Sequence, residues 1–236
     1  MLVLSVFPGI DILGRAFEES GFCVVRGPDV IWGGDVKSFH PPAGVFQGVI
    51  GGPPCKKFSS WSAVNKHLGH PEAENLIPEF ERVVLEAKPL WFLMENVRQA
   101  PKPSIDGYTV YDYLFDNRWA GGQQRRRRRF SFGSLEGWKL TLEPALLEDP
   151  KVIRCVTASD GERAGHGCDP NFRPGTLSAQ YLSIDDALEA QGLPRGYLKH
   201  CPFTKEGKYR VVGNGVPLPM GRVFARAIAQ VLGVPA

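Results

Sequence analysis

Residues 2–9 have the sequence LVLSVFPG, a short apolar run that ends in a proline-glycine turn. Such a run is typical of a buried strand, and the next segment, Ile12–Ser20, has the spacing of a helix that ends at Gly21. Cys23–Val25 then predicts a second short strand. A strand, a tight turn, a helix and another strand in this order indicate an α/β protein.

Strands and helices continue to alternate through the first half of the chain. Val45–Ile50 predicts a third strand, which ends in the turn sequence GGPP. Apolar residues at helical spacing predict a helix over Leu76–Ala87, and the run Leu90–Met94 predicts a buried strand. A further strand is expected at Phe130–Phe132. We therefore expect an α/β fold with a largely parallel sheet over residues 1–133.

The second half of the chain has a different pattern. Periodicity fades over residues 134–180, part of which is rich in Gly, Asp, Arg and Pro, so an insert built from loops is expected there. A capping-box pattern at Ser183 predicts a helix to Gln191, and a last helix is expected after Pro219. Residues 181–236 are therefore expected to complete the core.

The charge of the chain is nearly balanced. Its 236 residues include 28 Lys and Arg against 25 Asp and Glu, a formal net charge of +3. Removing the single run Arg125–Arg129 leaves 23 bases and changes the balance to −2. The positive charge is therefore local, which excludes a histone-like or polybasic binder, because such proteins need a broad basic face.

The cysteines argue against a disulfide framework and against a closed zinc site. There are five of them, with no close C-x-x-C pair, and His166 and Cys168 have no second pair of ligands beside them. The N-terminal apolar run is too short to span a bilayer and has no basic segment before it. We therefore expect a cytoplasmic protein without a metal or a membrane partner.

Cys55 directly follows the turn that ends the third predicted strand. Open α/β sheets bind their ligands at the carboxyl edge of the strands, so this cysteine is a candidate nucleophile. Lys56 and Lys57 follow it and would favour the reactive thiolate. A buried, unreactive cysteine is the alternative interpretation, because free cysteine is commonly a small apolar core residue.

Glu95 and the arginine run are candidates for the same edge of the sheet. Glu95 ends a predicted strand, so its carboxylate could lie near Cys55. Side chains alternate along a strand, which would place Gln124, Arg126 and Arg128 on one face. A solvated or phosphate-facing strip is the other interpretation of five consecutive arginines.

Together these motifs resemble the DNA cytosine-5 methyltransferase family. The matching segments are Phe7–Asp11, Gly34–Val36, Pro53–Cys55, Glu95–Val97, Gln124–Arg128 and Gly213–Pro217. Each is weak alone, but all of them in the family's order are highly specific. The resemblance implies a Rossmann-like methyltransferase fold that uses S-adenosyl-L-methionine. Residues 1–133 would be the catalytic and cofactor-binding core, 134–180 a small target-recognition region, and 181–236 the C-terminal helices.

The resemblance also implies a mechanism. The Cys55 thiolate would add to C6 of cytosine while Glu95 binds N3. Arg126 would hold the base O2, where negative charge builds, and Arg128 and Gln124 would brace the site. C5 would then accept the methyl group. Because none of these groups can reach C6 inside a stacked duplex, the base would have to be flipped out of the DNA.

Duplex DNA would be held by a closing loop and by the insert. Lys56–Glu74 is the expected loop, with Lys56, Ser59 and Gln124 as DNA-binding residues. Candidate readers of the bases are Arg154, Arg163, His166, Asn171 and Arg173, with Arg163 and Arg173 preferred. A Gly-rich loop with arginines is as often only a phosphate-binding loop. A short insert implies few base contacts and hence a short recognition site.

The resemblance assigns a set of residues to the cofactor: Phe7, Gly9, Asp11, Asp29, Asp35, Pro54, Leu76, Asn214 and Val216. Asp29 would bind the ribose hydroxyls and Asp35 the adenine amino group, although Asp29 could equally be a turn aspartate. Asp11 stands where the family usually has a second glycine, and we expect it to bind the cofactor's ammonium group. The spacing from Asp29 to Asp35 leaves no room for the helix usually found there.

Other functions remain open from the sequence. Methylation of an RNA cytosine would use the same motifs. A non-catalytic DNA-binding relative is another possibility, although such a protein would not need Cys55, Glu95 and Arg126 together. Asp11 leaves open a further possibility, the transfer of a group other than methyl from a modified cofactor. A monomer in a bacterial cell or a phage-infected host is expected, with restriction-modification or phage DNA modification as its role.

Overall fold

The computed structural model describes residues 1–54, 58, 73–145, 152–158 and 182–234. Its strands are β1 (Leu2–Val6), β2 (Cys23–Arg26), β3 (Gly48–Gly51), β4 (Trp91–Asn96), β5 (Thr109–Asp116) and β6 (Arg127–Ser134). Its helices are α1 (Ile12–Glu18), α2 (Ile77–Ala87), α3 (Ile184–Ala190), α4 (Lys205–Asn214) and α5 (Leu218–Leu232). Short 3-10 turns occupy Val30–Trp32, Val36–Ser38 and Asn117–Ala120.

The strands form one sheet in the order β2-β1-β3-β4-β6-β5. β1 to β4 are parallel, whereas β6 runs antiparallel to both β4 and β5. The predicted α/β fold is confirmed, and the parallel arrangement holds for the first four strands. β5 was not predicted because it is an edge strand whose residues are mostly half-exposed, so it has no continuous apolar run.

On one face of the sheet, α1 and α5 pack through large aromatic rings. Phe17 of α1 stacks on Trp91 with ring centroids 5.8 Å apart, and Phe224 of α5 stacks on Phe130 at 3.9 Å. Gly221 lets the two helices approach closely, because a Cβ built there would lie 2.8 Å from a side-chain atom of α1. The end of the chain is thereby packed against its beginning.

The opposite face of the sheet is covered by α2, whose predicted helical spacing is confirmed. Its buried residues are Ile77, Phe80, Val83, Val84 and Ala87. Phe80 meets Phe92 of β4 edge-on, with ring centroids 6.0 Å apart. Both faces of the central strands are therefore covered by helices, which explains why all six residues of β4 are buried.

The C-terminal helices pack around the start of α1. The predicted capping box is confirmed, since Ser183 Oγ accepts the Asp186 N–H at 3.1 Å and the Asp186 carboxylate accepts the Ser183 N–H at 3.1 Å. α5 lies where the last helix was expected. α4 was not predicted, because Gly207 and Gly213 interrupt its apolar spacing.

The structure leaves the predicted division of the chain untested. Residues 146–151 and 159–181, most of the expected target-recognition region, lie outside the described residues. In the part of the chain that is described, no helix is both long and apolar enough to cross a membrane.

Candidate active site

The loop between β1 and α1 has an unusual backbone conformation. Phe7, Gly9 and Asp11 adopt positive φ angles of 57°, 58° and 55°. Glycine accepts this region readily, whereas a residue with a side chain is strained there. The loop leaves the sheet at its carboxyl edge, where Val6 of β1 is level with Gly51 of β3.

Asp11 is buried and bound within the protein, and its predicted contact with the cofactor stays a prediction. Its carboxylate accepts hydrogen bonds from the Ser5 hydroxyl at 2.8 Å and the Gly14 N–H at 3.1 Å, and it pairs with Arg26 at 2.9 Å. Burial raises the pKa of Asp11, while Ser5 and Arg26 oppose that change. Asp11 therefore caps α1 and stabilises its own strained backbone.

Gly9 is held on both sides by the turn that follows β2. Its N–H donates to Asp29 Oδ2 at 2.8 Å, and its carbonyl accepts from Trp32 Nε1 at 2.8 Å. Asp29 Oδ1 also accepts the Ile31 N–H at 3.0 Å. Asp29 is thus a turn aspartate, one of the two roles considered for it; its contact with a ribose stays a prediction.

The short connection from Asp29 to Asp35 is confirmed. It contains only the 3-10 turn Val30–Trp32, and Asp35 begins the next turn by accepting the Lys37 N–H at 3.0 Å. Asp35 is exposed, and so is Pro54, while Leu76 is half-buried just before α2. These residues keep their predicted cofactor roles as predictions.

The last motif lies against the start of α1. A Cβ built at Gly215 would fall 2.7 Å from the Ile12 side chain, so a glycine is needed for this approach. Asn214 is exposed at the end of α4, and Val216 is buried in the core. The segment that contains both predicted cofactor residues is therefore fixed beside the helix that follows the β1 loop.

Glu95 lies at the carboxyl edge of the sheet, beside the turn that leads to Cys55. Gly51 of β3 is level with Met94 of β4, so the residues that follow them are neighbours. A Cβ built at Gly52 would lie 3.3 Å from Glu95 Oε2. Cys55, Lys56 and Ser59 themselves lie outside the described residues.

A second contact ties this turn to β4. Asn96 is buried, and its side-chain Nδ2 donates to the Pro53 carbonyl at 3.1 Å. The asparagine of the Glu95–Val97 motif therefore has a structural explanation, because it holds the backbone just before Cys55. The two motifs are joined by this bond as well as by the sheet.

Glu95 is a buried carboxyl group that forms an ion pair with Arg128. Its residue is 7% exposed, and Arg128 Nε lies 3.1 Å from Oε1. Burial raises the pKa of Glu95, and the charges of Arg128 and Arg126 oppose the shift. The folded protein therefore favours the protonated carboxyl more than water does, which suits a group that must donate a hydrogen bond or a proton.

The alternation predicted for the arginine run is largely confirmed. Gln124 and Arg126 are buried and the Arg128 side chain is 18% exposed, whereas Arg125 and Arg127 are exposed. Arg129 departs from the pattern. It is buried and donates to the carbonyls of Arg98 and Pro101, at 3.2 and 2.6 Å, and so holds the loop after Glu95 in place.

The two catalytic arginine candidates have different surroundings. Arg126 donates to the Val156 carbonyl at 3.2 Å, to the Gly215 carbonyl at 3.1 Å and to Cys155 Sγ at 3.3 Å. Arg128, not Arg126, forms the ion pair with Glu95. Arg126 therefore has the contacts of a bracing residue, the role expected for Arg128. Arg128 is the arginine that lies next to the acid.

Gln124 is buried, and its contacts match the bracing role expected for it, while its predicted contact with DNA stays a prediction. Its Nε2 donates to the Ala190 carbonyl at 2.7 Å and to Gln191 Oε1 at 3.0 Å, and its Oε1 accepts the Val156 N–H at 3.3 Å. Both glutamine side chains are fully buried.

Gln191 is a site residue that sequence reasoning missed. Its Nε2 donates to the Val212 carbonyl at 2.5 Å, so the pair of glutamines joins the arginine strand to α3 and α4. In sequence Gln191 only ends a helix before Gly192, a position that is usually solvated. No local signal marks it, because its partners are 67 and 21 residues away.

The expected base-reading residues are largely beyond the described chain. Arg163, His166, Asn171 and Arg173 fall in residues 159–181. Arg154 is half-buried and donates to the Cys155 carbonyl at 3.1 Å. Among the described residues, no group of three or more His, Cys, Asp and Glu side chains could hold a metal ion.

Comparison with solved structures identifies the class of this fold. A methyltransferase of Entamoeba histolytica superposes with a TM-score of 0.70 at 14% identity, covering 98% of both chains. A putative DNA modification methyltransferase from an Escherichia coli prophage superposes with a TM-score of 0.65 at 16% identity, covering 99% of both. The fold is therefore the Rossmann-like fold of S-adenosylmethionine-dependent methyltransferases.

Sequence comparison then identifies the family. The model of the C-5 cytosine-specific DNA methylases matches residues 34–158, which is more than half of the chain. The protein belongs to this family. A type II methyltransferase of Haemophilus parahaemolyticus is 43% identical over 183 residues, 72% of this chain and 44% of the relative.

The match to a relative from another bacterium is shorter. A type II methyltransferase of Herpetosiphon aurantiacus is 34% identical over 99 residues, 38% of this chain and 31% of the relative. The chain thus spans less than half the length of these curated relatives.

Proposed function

We propose that the protein transfers a methyl group from S-adenosylmethionine to C5 of cytosine in duplex DNA. The observation that supports this most is the buried Glu95–Arg128 pair, at the sheet edge where the Pro53–Pro54 turn leads into Cys55. A buried acid with a raised pKa, beside a cation and a potential nucleophile, is the arrangement expected of a catalytic site. Membership of the C-5 cytosine-specific DNA methylase family supports the same reaction.

The residues around the β1 loop fit the cofactor. Gly9 has φ +58°, and a Cβ built there would meet no atom within 4 Å, so open space lies beside its backbone. The residues proposed to hold the cofactor are Phe7, Gly9, Asp11, Asp29, Asp35, Pro54, Leu76, Asn214 and Val216. When bound, S-adenosylmethionine supplies an electrophilic methyl group.

The mechanism assigns one task to each side chain of the pair. The Cys55 thiolate attacks C6 of the base, and the electron density displaced from the ring is held at N3 and O2. C5 then takes the methyl group, and loss of the C5 proton with expulsion of the Cys55 thiolate from C6 completes the reaction. Glu95 binds N3, and its raised pKa favours the protonated form that can donate to a ring nitrogen. Arg128 holds O2, because it is the arginine beside Glu95, while Arg126 braces the loop at Gly215.

The base is flipped out of the duplex to reach these groups. Lys56–Glu74 is the proposed closing loop, and residues 134–180 are the proposed target-recognition region that selects a short sequence. The relatives of this chain are type II methyltransferases, so a site-specific DNA modification is the proposed role. The protein acts as a monomer in the cytoplasm of a bacterial cell or phage-infected host.

Transfer of tritiated methyl groups to unmodified duplex DNA tests this function. Wild-type protein is compared with Cys55→Ser, and Cys23→Ser is the matched control, because Cys23 is an exposed cysteine on β2. We expect label on C5 in a short reproducible context with wild type and the control, and none with Cys55→Ser. The products are located by bisulfite sequencing.

Other results would contradict the proposal in different ways. Label on RNA alone would make the substrate RNA. Cofactor binding without transfer to either nucleic acid would indicate a non-catalytic relative, and full activity of Cys55→Ser would exclude the covalent mechanism.

A further inference from the structure

Trp32 makes a contact that the proposed mechanism does not use. Its indole Nε1 donates to the Gly9 carbonyl at 2.8 Å, across 23 residues of sequence. Asp29, three residues earlier, accepts the Gly9 N–H at 2.8 Å. One short turn therefore binds the donor and the acceptor of the same residue, and so fixes the peptide groups on both sides of Gly9.

The β1–α1 loop needs such external contacts. Glycine has wide conformational freedom, so without tertiary contacts Gly9 would sample several backbone conformations. Phe7 and Asp11 are in the left-handed region, which is costly for a residue with a side chain and persists where the surroundings hold it. Asp11 is held by Ser5, Gly14 and Arg26. Asp29 and Trp32 hold the middle of the loop.

Trp32 is itself fixed from the other side. Its ring lies against Phe203, with centroids 5.4 Å apart and planes inclined by 51°. Phe203 lies two residues before the start of α4, the helix that ends at Asn214 in the last motif. Trp32 is nevertheless 56% exposed, so its ring contributes little to the buried core. A role in positioning the loop explains why an indole is kept in such an exposed place.

We propose that Trp32 is a positioning residue for cofactor binding. Its indole N–H holds the Gly9 peptide in the orientation that the bound cofactor requires, so that the loop is ordered before the ligand arrives. The inference rests on the proposed function, since it assumes that the β1 loop receives S-adenosylmethionine. It concerns Trp32 alone, a residue that the motifs of the family did not single out here.

The experiment removes the indole N–H and keeps the ring. In Trp32→Phe the ring that contacts Phe203 is kept, and because Trp32 is exposed the substitution should leave the fold intact. Calorimetric titration with S-adenosylhomocysteine, without DNA, should show affinity reduced about fivefold, the effect of one neutral hydrogen bond. Trp119→Phe is the matched control, because Trp119 is another half-exposed indole, at the turn after β5, and its affinity should equal that of wild type.

Two further measurements separate positioning from other roles. Amide hydrogen exchange over residues 7–11 of the ligand-free protein should be faster in Trp32→Phe than in wild type. In methyl transfer, KM for S-adenosylmethionine should rise about fivefold, while kcat at saturating cofactor and KM for DNA stay unchanged.

Several outcomes would overturn the inference. Equal affinity of wild type and Trp32→Phe would show that the loop does not need the indole N–H. Weaker binding with unchanged exchange in the free protein would mean that Trp32 contacts the ligand directly. Failure of wild type to bind S-adenosylhomocysteine would overturn the cofactor assignment together with this inference, whereas binding without methyl transfer would overturn the proposed function alone.

Discussion

At the scale of single residues, the site depends on one carboxyl group held in a dry environment. Glu95 is buried and has Arg128 as its close ion-pair partner. Burial penalises the carboxylate more than the two nearby arginines favour it, so the pKa is raised. An acid of this kind can share a proton with a ring nitrogen of the base, which an ordinary exposed glutamate at neutral pH cannot do.

Glu95→Gln should abolish most of the activity and change the pH dependence of stability. We expect kcat to fall at least about a hundredfold, the usual contribution of an acid-base group, with the affinity for S-adenosylhomocysteine unchanged. Because the folded-state pKa is raised above 4.5, the contribution of Glu95 to folding is largest below that pH and is lost as pH rises through the folded pKa.

Urea unfolding across the pH range checks the second part. The free energy of unfolding of wild type, relative to Glu95→Gln, should decrease as pH rises above 4.5. An increase over this window would mean that the pKa is lowered in the folded protein. Glu81→Gln is the control for loss of a carboxylate, because Glu81 is a half-buried glutamate of α2 whose carboxylate accepts the Ser104 N–H.

Arg128→Lys and Arg126→Lys should affect different properties. Lysine at 128 cannot reproduce the Nε contact with Glu95, so kcat should fall by about tenfold to a hundredfold with little change in stability. Lysine at 126 cannot make the hydrogen bonds that the Arg126 guanidinium donates to its three acceptors, so the free energy of unfolding should fall by about 2 kcal/mol. Steady-state kinetics and urea unfolding of both variants would show whether the roles are reversed.

At the scale of elements, buried side chains join segments that the sheet alone would leave apart. The Gln124 and Gln191 amides connect the start of the arginine strand with α3, α4 and residue 156. Arg126 joins the same segments through two carbonyls. The end of α4 is thereby locked to the strand that carries Arg128, so the cofactor side and the base side of the site form one unit.

Gln191→Ala should destabilise the protein by about 2 to 3 kcal/mol. The substitution leaves the Gln124 amide and the Val212 carbonyl buried without these partners, and unsatisfied polar groups in a dry interior are costly. Gln230→Ala, at an exposed position of α5, is the control and should change stability by less than about 0.5 kcal/mol. Equal midpoints of urea unfolding for the two variants would contradict a connecting role for Gln191.

At the scale of the whole molecule, the arginine run is mainly part of the protein's interior. Arg126, Arg128 and Arg129 bind acceptors within the chain, and Arg127 reaches Asp116 at 3.3 Å. A phosphate-facing strip of five arginines is therefore not what the structure contains. With the remaining charges nearly balanced, DNA binding has to depend on few phosphate contacts.

The salt dependence of DNA binding should accordingly change little when the run is altered. Arg125→Gln removes an exposed arginine of the run and should reduce the slope of log affinity against log salt by at most about 1. Arg226→Gln, exposed near Glu19 at the far end of α1, should leave the slope unchanged. Fluorescence anisotropy with a labelled duplex at several salt concentrations measures the slope for both variants. A slope reduced by several units in Arg125→Gln would support the phosphate-facing strip of arginines after all.

The sequence by itself determined the α/β class, the first four strands and the helices that cover them. It also placed the candidate acid and the cysteine turn at one edge of the sheet. These features follow from local signals, because apolar spacing and proline-glycine turns act within a few residues. The spacing from Asp29 to Asp35 likewise excluded a helix there, as the structure confirms.

Only the tertiary structure decided which side chains are partners. Asp11 pairs with Arg26, and Arg128, not Arg126, pairs with Glu95. Gln191 joins the arginine strand to α3 and α4 without belonging to any motif. A hydrogen bond between groups tens of residues apart depends on the packing of whole elements, which composition and periodicity do not encode. Edge strand β5 escaped prediction for a related reason, since its pairing with β6 compensates for its weak apolar pattern.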